Sequence, residues 1–550
     1  MKRLAFLLGC FSVGGQVLLL RELLAAFGGD ELLLGTAFCG WLSAVALGAW
    51  LGGRAGSKTR PLTLFIGGAI ILPMTLLAVR LSPAILATIP GEAISFPLAS
   101  LASILLMLPV AAICGALFPA ISNLAIESRE AILTVYLWEG IGAFAGGLLS
   151  ALLLGGLLTT MATVLLLALI TVLAALWFCR GMHKVILAVI ALLAGAAAVL
   201  AAPKIDLTLA AIRFSGYEVQ AVFDTRYSHQ VILTREESYY LVTDNIIESS
   251  YPDLESAENL LLPGLLYYPE AREVLLLGGA ELALMPLLDS FPSLRTTQVD
   301  PRANLMRHLE TLSGGRKVTQ ITADPLDFVR NNTDAFDLIL LNPGAPDNLR
   351  QARLLDPSFL ARLAARLTSH GILQLQLPYD SERYVSPTTQ PPLVAVADAL
   401  RSVFPQVTVW PGATTTFFAA RENALNLPVD SLLHNLSALP YAPVYLTESR
   451  LRDRLEPMRR ERLASVLQQI VTPYSLDRPL LPHYQLAQRA EAGFVEQTLV
   501  RLVTTQRMWL LPLGVLLLLF WFRSTNPKQP WRYSTWLFWL CGFVSLSLEL

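Results

Sequence analysis

Seven apolar blocks, near residues 4–27, 32–52, 62–81, 97–121, 135–157, 160–178 and 184–202, constrain this chain more than any other feature. A bilayer core about 30 Å thick calls for roughly 20 apolar residues per helical crossing, and each block meets that length. Helices apolar on every side are not the amphipathic surface helices of a soluble domain. With 54% hydrophobic and only 15% charged residues, the chain reads as an integral membrane protein. Its formal charge of −1 supplies no basic field for nucleic acid and no acidic tail. The five cysteines (Cys10, Cys39, Cys114, Cys179 and Cys541) lie in or beside apolar segments without CxxC spacing, which argues against a zinc site or a disulfide framework. Lys2 and Arg3 precede an apolar run with no small-residue cleavage site before the next block, so the first block reads as a retained helix.

Texture along the chain divides it into a bundle of about seven helices over 1–203, a small β-domain over 204–250, an α/β domain over 251–505, and further transmembrane helices over 506–550. In that last part Met508 to Phe522 forms a span and another opens at Tyr533. The segment Leu540 to Glu549 can be laid on Leu7 to Gln16 with small residues in register, which suggests the start of a second, truncated bundle, chance similarity between two apolar helices being the alternative. Lys2 and Arg3, the loop with Arg54, Lys58 and Arg60, Arg180 with Lys184, and Arg523 with Lys528 and Arg532 fall on one side when seven spans precede the α/β domain. Positive-inside counting then puts that domain on the non-cytoplasmic face.

Three charges stand inside apolar blocks: Arg21, Glu22 and Glu139. Neighbouring positions on a helix point apart, so the expectation is an ion pair from Arg21 to Glu139 across two helices, with a transport or proton-relay role as the alternative. The small residues from Gly140 to Gly147 predict close helix packing.

Beyond residue 204, Val219–Phe223, Gln230–Thr234 and Ser238–Thr243 read as short antiparallel strands, with a turn at Arg235, Glu236 and Glu237. A helix follows from Asp253 to Leu266. Then comes the run from Glu273 to Leu282: a buried strand, a glycine turn and a helix reaching Leu288, followed by a strand ending in Asp300. A helix through Leu309, a strand over Val318–Thr322 ending near Asp324, and a strand from Phe336 to Asn342 continue the alternation of a largely parallel sheet. The fold class is thus a polytopic α-helical membrane protein with an inserted α/β domain, a small N-terminal β-domain plus a Rossmann-like parallel sheet.

From about Tyr217 to Ala420, and less sharply through Ser475 to Pro479, this pattern resembles the multi-pass membrane branch of the spermidine synthase (polyamine aminopropyltransferase) family. The resemblance implies that the small β-domain precedes a Rossmann domain of methyltransferase type that binds decarboxylated S-adenosylmethionine or a related thioadenosine nucleoside. Gln230 matches the glutamine that contacts the nucleoside. Gly278 and Gly279 match the start of the glycine-rich turn, which here continues Ala280, Glu281 and Leu282 where that family has further glycines. A Leu282 side chain then stands where backbone should approach the ligand. Asp300 matches the acid that grips the ribose hydroxyls, a helix N-cap being the alternative for it. Asp324 matches the acid near the adenine.

The reacting end departs from the family. Its catalytic aspartate falls on Asn342, and a neutral amide cannot serve as a general base. The second aspartate of that loop falls on Ala345, with Asp347 as a substitute after a loop shift. In the polyamine-gripping run the tyrosine and histidine have become Ser256 and Ala257, leaving Asp253 and Glu258 as the substrate-binding acids, and a later tyrosine has become Leu355. Two function classes stay open: a catalytically altered or inactive domain that binds a nucleoside-type ligand or scaffolds membrane partners, and an active aminopropyltransferase. A transporter with a regulatory soluble domain is a weaker third. The partners expected are the lipid bilayer, with other membrane proteins or a second copy of the chain as further candidates, and not nucleic acid; no metal is expected.

Overall fold

The computed structural model describes residues 1–29, 31–56, 60–86, 94–124, 129–154, 158–178, 183–225, 228–279, 282–302, 318–346, 348–469, 474–475, 480–482 and 484. The helix expected through Leu309, the alternative base Asp347, and the spans expected beyond 506, with their similarity to the first helix, lie outside the described residues. The chain divides into two compact units, with Met1–Thr234 in the first and Ile247–Thr505 in the second.

Among the described residues of the first unit, seven helices are long and apolar enough to cross a membrane by length and composition. They are α1 (Lys2–Phe27), α2 (Glu31–Ala55), α3 (Pro61–Ile85), α4 (Phe96–Ser122), α5 (Arg129–Leu154), α6 (Thr160–Trp177) and α7 (His183–Arg213). The last continues well past residue 202, where hydropathy falls, because its helical ladder carries through Pro203 and Lys204 to Arg213. Small residues decide which helices pair. A Cβ on Gly9 of α1 would strike the backbone of Glu139 and Ala143 on α5, and Gly142 and Gly146 are pressed in turn against Phe6 and Cys10. Gly48 of α2 and Gly115 of α4 make the same backbone approach to Ala112 and Val45. These are the contacts expected of the glycines in the stretch 140–147, and they draw the axes close enough for dispersion between backbones to hold the pairs.

Four strands follow: β1 (Glu218–Asp224), β2 (His229–Arg235), β3 (Ser238–Thr243) and β4 (Ile246–Tyr251). The fourth was not legible in the sequence, because Ile246 to Tyr251 shows no clean alternation of apolar and polar residues. In the second unit, α8 (Leu254–Tyr267), β5 (Glu273–Leu277), α9 (Leu284–Leu288), β6 (Arg295–Asp300), β7 (Val318–Thr322), α10 (Pro325–Asn331), β8 (Phe336–Leu341), β9 (Leu367–Leu377), β10 (Gln406–Trp410) and β11 (Thr415–Ala420) build a seven-stranded sheet in the order β10-β11-β9-β8-β5-β6-β7. Its five strands from β9 to β7 pair in parallel, and β11 and β10 close one edge antiparallel. The runs Val274–Leu277 and Leu338–Leu341 are wholly buried, as central strands covered on both faces require.

One face of the sheet carries α8, and a proline fixes how. Pro263 has no N–H to give the Asn259 carbonyl one turn back. That carbonyl instead accepts from Gln376 Nε2 at 2.5 Å and Gln374 Nε2 at 3.3 Å, both on β9. Gly264 beside it lets α8 settle against Leu338 of β8, where an added Cβ would stand 2.5 Å from a Leu338 methyl.

Candidate functional site

Parallel pairing brings the expected site residues to one edge. Leu277 lies opposite both Val299 and Leu341, so Gly278, Asp300 and Asn342 leave their strands side by side, and Asp324 follows Thr322, the partner of Asp300. This is the carboxyl edge of the sheet, where the connections from β5 and β8 run to opposite sides and doubly wound folds open a crevice.

Gly278 has φ 96°, a left-handed conformation that a side chain would strain, and an added Cβ would lie 2.9 Å from the Asn342 carbonyl. Asn342 is held there by its own N–H, which donates to the Leu277 carbonyl at 2.9 Å, and its amide lies 3.3 Å from the place of a Cβ on Gly279. Asn342 is thus packed onto the glycine turn. Leu282 is buried at 7% exposure, and its N–H donates to the Ser249 hydroxyl of β4 at 2.9 Å. Strand β4 therefore lies against the turn, a contact the sequence did not announce.

Asp300 does not stand open. Arg302 folds back so that its backbone N–H and Nε both donate to Asp300 Oδ1 at 2.8 Å, while its terminal amine donates to Oδ2 at 2.6 Å. The other side of the same guanidinium grips both oxygens of Glu248 on β4, at 2.5 and 2.7 Å. Burial alone would lower the Arg302 pKa, but Glu248 and Asp300 hold it well above the ordinary arginine value. A fork of donors between two carboxylates uses the geometry in which arginine binds most strongly.

The remaining acids are also engaged. Asp324 caps α10 by accepting from the Leu326 N–H at 2.9 Å, and its other oxygen pairs with Arg353 at 2.5 Å. Asp253 caps α8, accepting from the N–H and hydroxyl of Ser256 at 3.0 and 2.8 Å. Glu258, fully buried, accepts four hydrogen bonds of 2.7–2.8 Å, from the Tyr441 hydroxyl and the backbone N–H groups of Val444, Tyr445 and Leu446. It anchors a loop. Leu355 and Ala257 are fully buried among apolar neighbours. Gln230, buried on β2, belongs to the first unit.

Within that first unit the expected pair of Arg21 and Glu139 does not form. Arg21 reaches Glu22 at 3.0 Å, Asp224 at 3.5 Å and the Thr225 carbonyl at 2.8 Å, and it also meets the Thr160 hydroxyl. The spacing rule failed because two long side chains on successive residues can curl toward a shared third group. Arg80 completes the cluster, donating to Glu22 at 2.7 Å and to Asp224 at 3.3 Å and pairing with Asp206. Asp224 also accepts from the Thr160 N–H at the start of α6 at 2.8 Å and lies 2.7 Å from His229 Nδ1. Burial would raise the Asp224 pKa, but Arg21, His229 and Arg80 hold it well below the usual carboxylate range. Glu139 has no ion-pair partner among the described residues.

Sequence reasoning missed Arg302, Glu248 and Gln298. Gln298 lies fully buried two residues before Asp300, and neither atom of its amide has a partner among the described residues. The signal was present, since Gln298, Asp300 and Arg302 alternate with apolar Val299 and a proline on a strand end.

No family model matches the chain. Over 183 residues it is 27% identical to polyamine aminopropyltransferase 2 of Ralstonia nicotianae, covering 30% of this chain and 36% of that protein. It is 24% identical over 197 residues to the polyamine aminopropyltransferase of Leptospira interrogans, covering 31% of this chain and 39% of that one. The chain thus spans little more than a third of the length of the curated relatives it matches. Among solved structures, a spermidine synthase in complex with the transition-state analogue AdoDATO is similar with TM-score 0.38 and 15% identity, over 45% of this chain and 88% of that one. The spermidine synthase of Thermotoga maritima follows with TM-score 0.36 and 14% identity, over 45% and 87%.

Proposed function

We propose, from the spermidine synthase-like character of this chain, that it is a multi-pass membrane protein whose α/β domain keeps a nucleoside-binding fold while aminopropyl transfer has been given up. One observation carries the reading: both oxygens of Asp300 are held by Arg302, which is itself locked to Glu248. A ribose diol must donate to that carboxylate, and it meets a guanidinium already there. The chemistry at the neighbouring positions agrees. Asn342 has no basic lone pair for an amine proton, and the acids Asp253 and Glu258 spend their oxygens on a helix cap and a loop. The ligand class that fits the fold remains a thioadenosine nucleoside, bound weakly, and the domain serves as a ligand-responsive or scaffolding module of the membrane bundle.

The second reading, an active polyamine aminopropyltransferase, is favoured by the sequence similarity to proteins so named. Purified full-length chain supplied with decarboxylated S-adenosylmethionine and putrescine decides between them. We expect 5′-methylthioadenosine and spermidine to form at the rate of the protein-free control. Turnover at an ordinary enzyme rate of about 1 s⁻¹ or more would establish the active reading instead.

A further inference from the structure

A groove of about 500 Å³ runs down the first unit between α1, α5 and α6. Arg3, Trp177 and Phe178 bound one end, and Leu153 and Thr163 lie toward the other. From Thr163 to Phe178 the wall formed by α6 rises roughly 22 Å, at about 1.5 Å per residue. Spread over that length, 500 Å³ makes a slender channel that takes one extended hydrocarbon chain. The walls also refuse polar guests. The hydroxyls of Thr163 and Thr171 donate to the Thr159 and Leu167 carbonyls of their own helix at 2.9 and 2.7 Å, and both residues are buried, so neither offers the groove a polar group.

The end at Arg3 differs. It joins a cation, with Lys2 beside it in the chain, to an exposed indole, the pairing found where a helix meets lipid headgroups. We propose that this groove is a binding site for an anionic phospholipid, with one acyl chain along α6 and the phosphate at Arg3. The inference rests on the membrane reading above but not on any reading of the α/β domain. Length supports it as well, since half of a bilayer core is about 15 Å and the groove exceeds that, enough for a whole acyl chain of one leaflet.

The test uses full-length protein extracted from membranes in mild detergent, with native mass spectrometry counting phosphatidylglycerol and phosphatidylcholine retained from an equimolar mixture. An alkaline carbonate wash of the membranes comes first: release of the protein there would sink the membrane reading, whereas retention isolates the lipid question. Wild type should keep one phosphatidylglycerol in preference to phosphatidylcholine by about fivefold, the discrimination one basic residue near a headgroup supplies. Ala174→Phe, and separately Ala145→Phe, should fill the groove and reduce retention by about tenfold. Arg3→Gln should keep the acyl chain but abolish the preference, and Leu193→Phe on an exposed face of α7 should change nothing. Retention unchanged in both filling variants, or a preference unchanged in Arg3→Gln, would overturn the site, as would uptake of both lipids without preference by wild type.

Discussion

At the scale of single residues, the site turns on which partner a carboxylate already has. Asp300 and Glu248 share one guanidinium, so deleting Arg302 alone would leave the buried carboxylate of Asp300 facing the partly exposed one of Glu248, at a cost of up to roughly 3 kcal/mol. Replacing Glu248 and Arg302 together by Gln removes one charge of each sign and frees Asp300. We expect that double variant to bind 5′-methylthioadenosine at least about tenfold more tightly than wild type, through charge-assisted hydrogen bonds to the ribose diol of roughly 1.5–3 kcal/mol each before compensation. Calorimetry should show the gain vanish on adding Asp300→Ala; equal affinity in wild type and double variant would remove Asp300 from the ribose. Asn342→Asp is a different matter. A general base contributes about 10² to 10⁴ in rate, but on the function proposed above Ser256, Ala257 and Leu355 offer no grip on an amine, so product formation in this variant should remain at background. Measurable spermidine from Asn342→Asp alone would show the amine site to be intact.

Elements are held together by buried acids rather than by apolar contact alone. Glu258 of α8 collects four donors from the segment 441–446, and an amide in its place can accept at only one atom. Glu258→Gln should therefore destabilise the second unit by about 2–4 kcal/mol, visible as a lower urea midpoint and faster amide exchange confined to 441–446. Exchange unchanged in that segment would deny Glu258 the anchoring role. In the first unit Asp224 ties β1 to α1, α3 and α6. Its folded pKa is depressed below the unfolded value of about 3.9, so its contribution is complete above that pH and is lost as pH falls through the folded value. Wild type should lose thermal stability more steeply than Asp224→Asn on acidification below pH about 4, while Asp224→Asn starts lower at pH about 7. Parallel melting curves for the two across that range would exclude the linkage.

At the scale of the whole molecule, we propose that the basic loops flanking the apolar helices set the sidedness and put the α/β domain on the non-cytoplasmic face. A cysteine at Glu422, exposed on the second unit, in a chain freed of its five native cysteines should react with a membrane-impermeant maleimide in intact cells. Labelling that needs lysis would reverse the orientation. What the sequence determined by itself was everything carried by local pattern: seven helices from apolar length, a parallel sheet from the runs at 274–277 and 336–341, and a glycine turn at Gly278. Period and run length are properties of neighbouring residues, so they can be read without a structure. The pairing of Arg302 with Glu248, the four donors on Glu258, and the meeting of Arg21, Arg80, Asp206 and Asp224 join positions separated by 54 to 203 residues. Only the tertiary structure decided these, because a buried charge takes whichever counter-charge the packed chain brings within reach, and sequence spacing says nothing about which that will be.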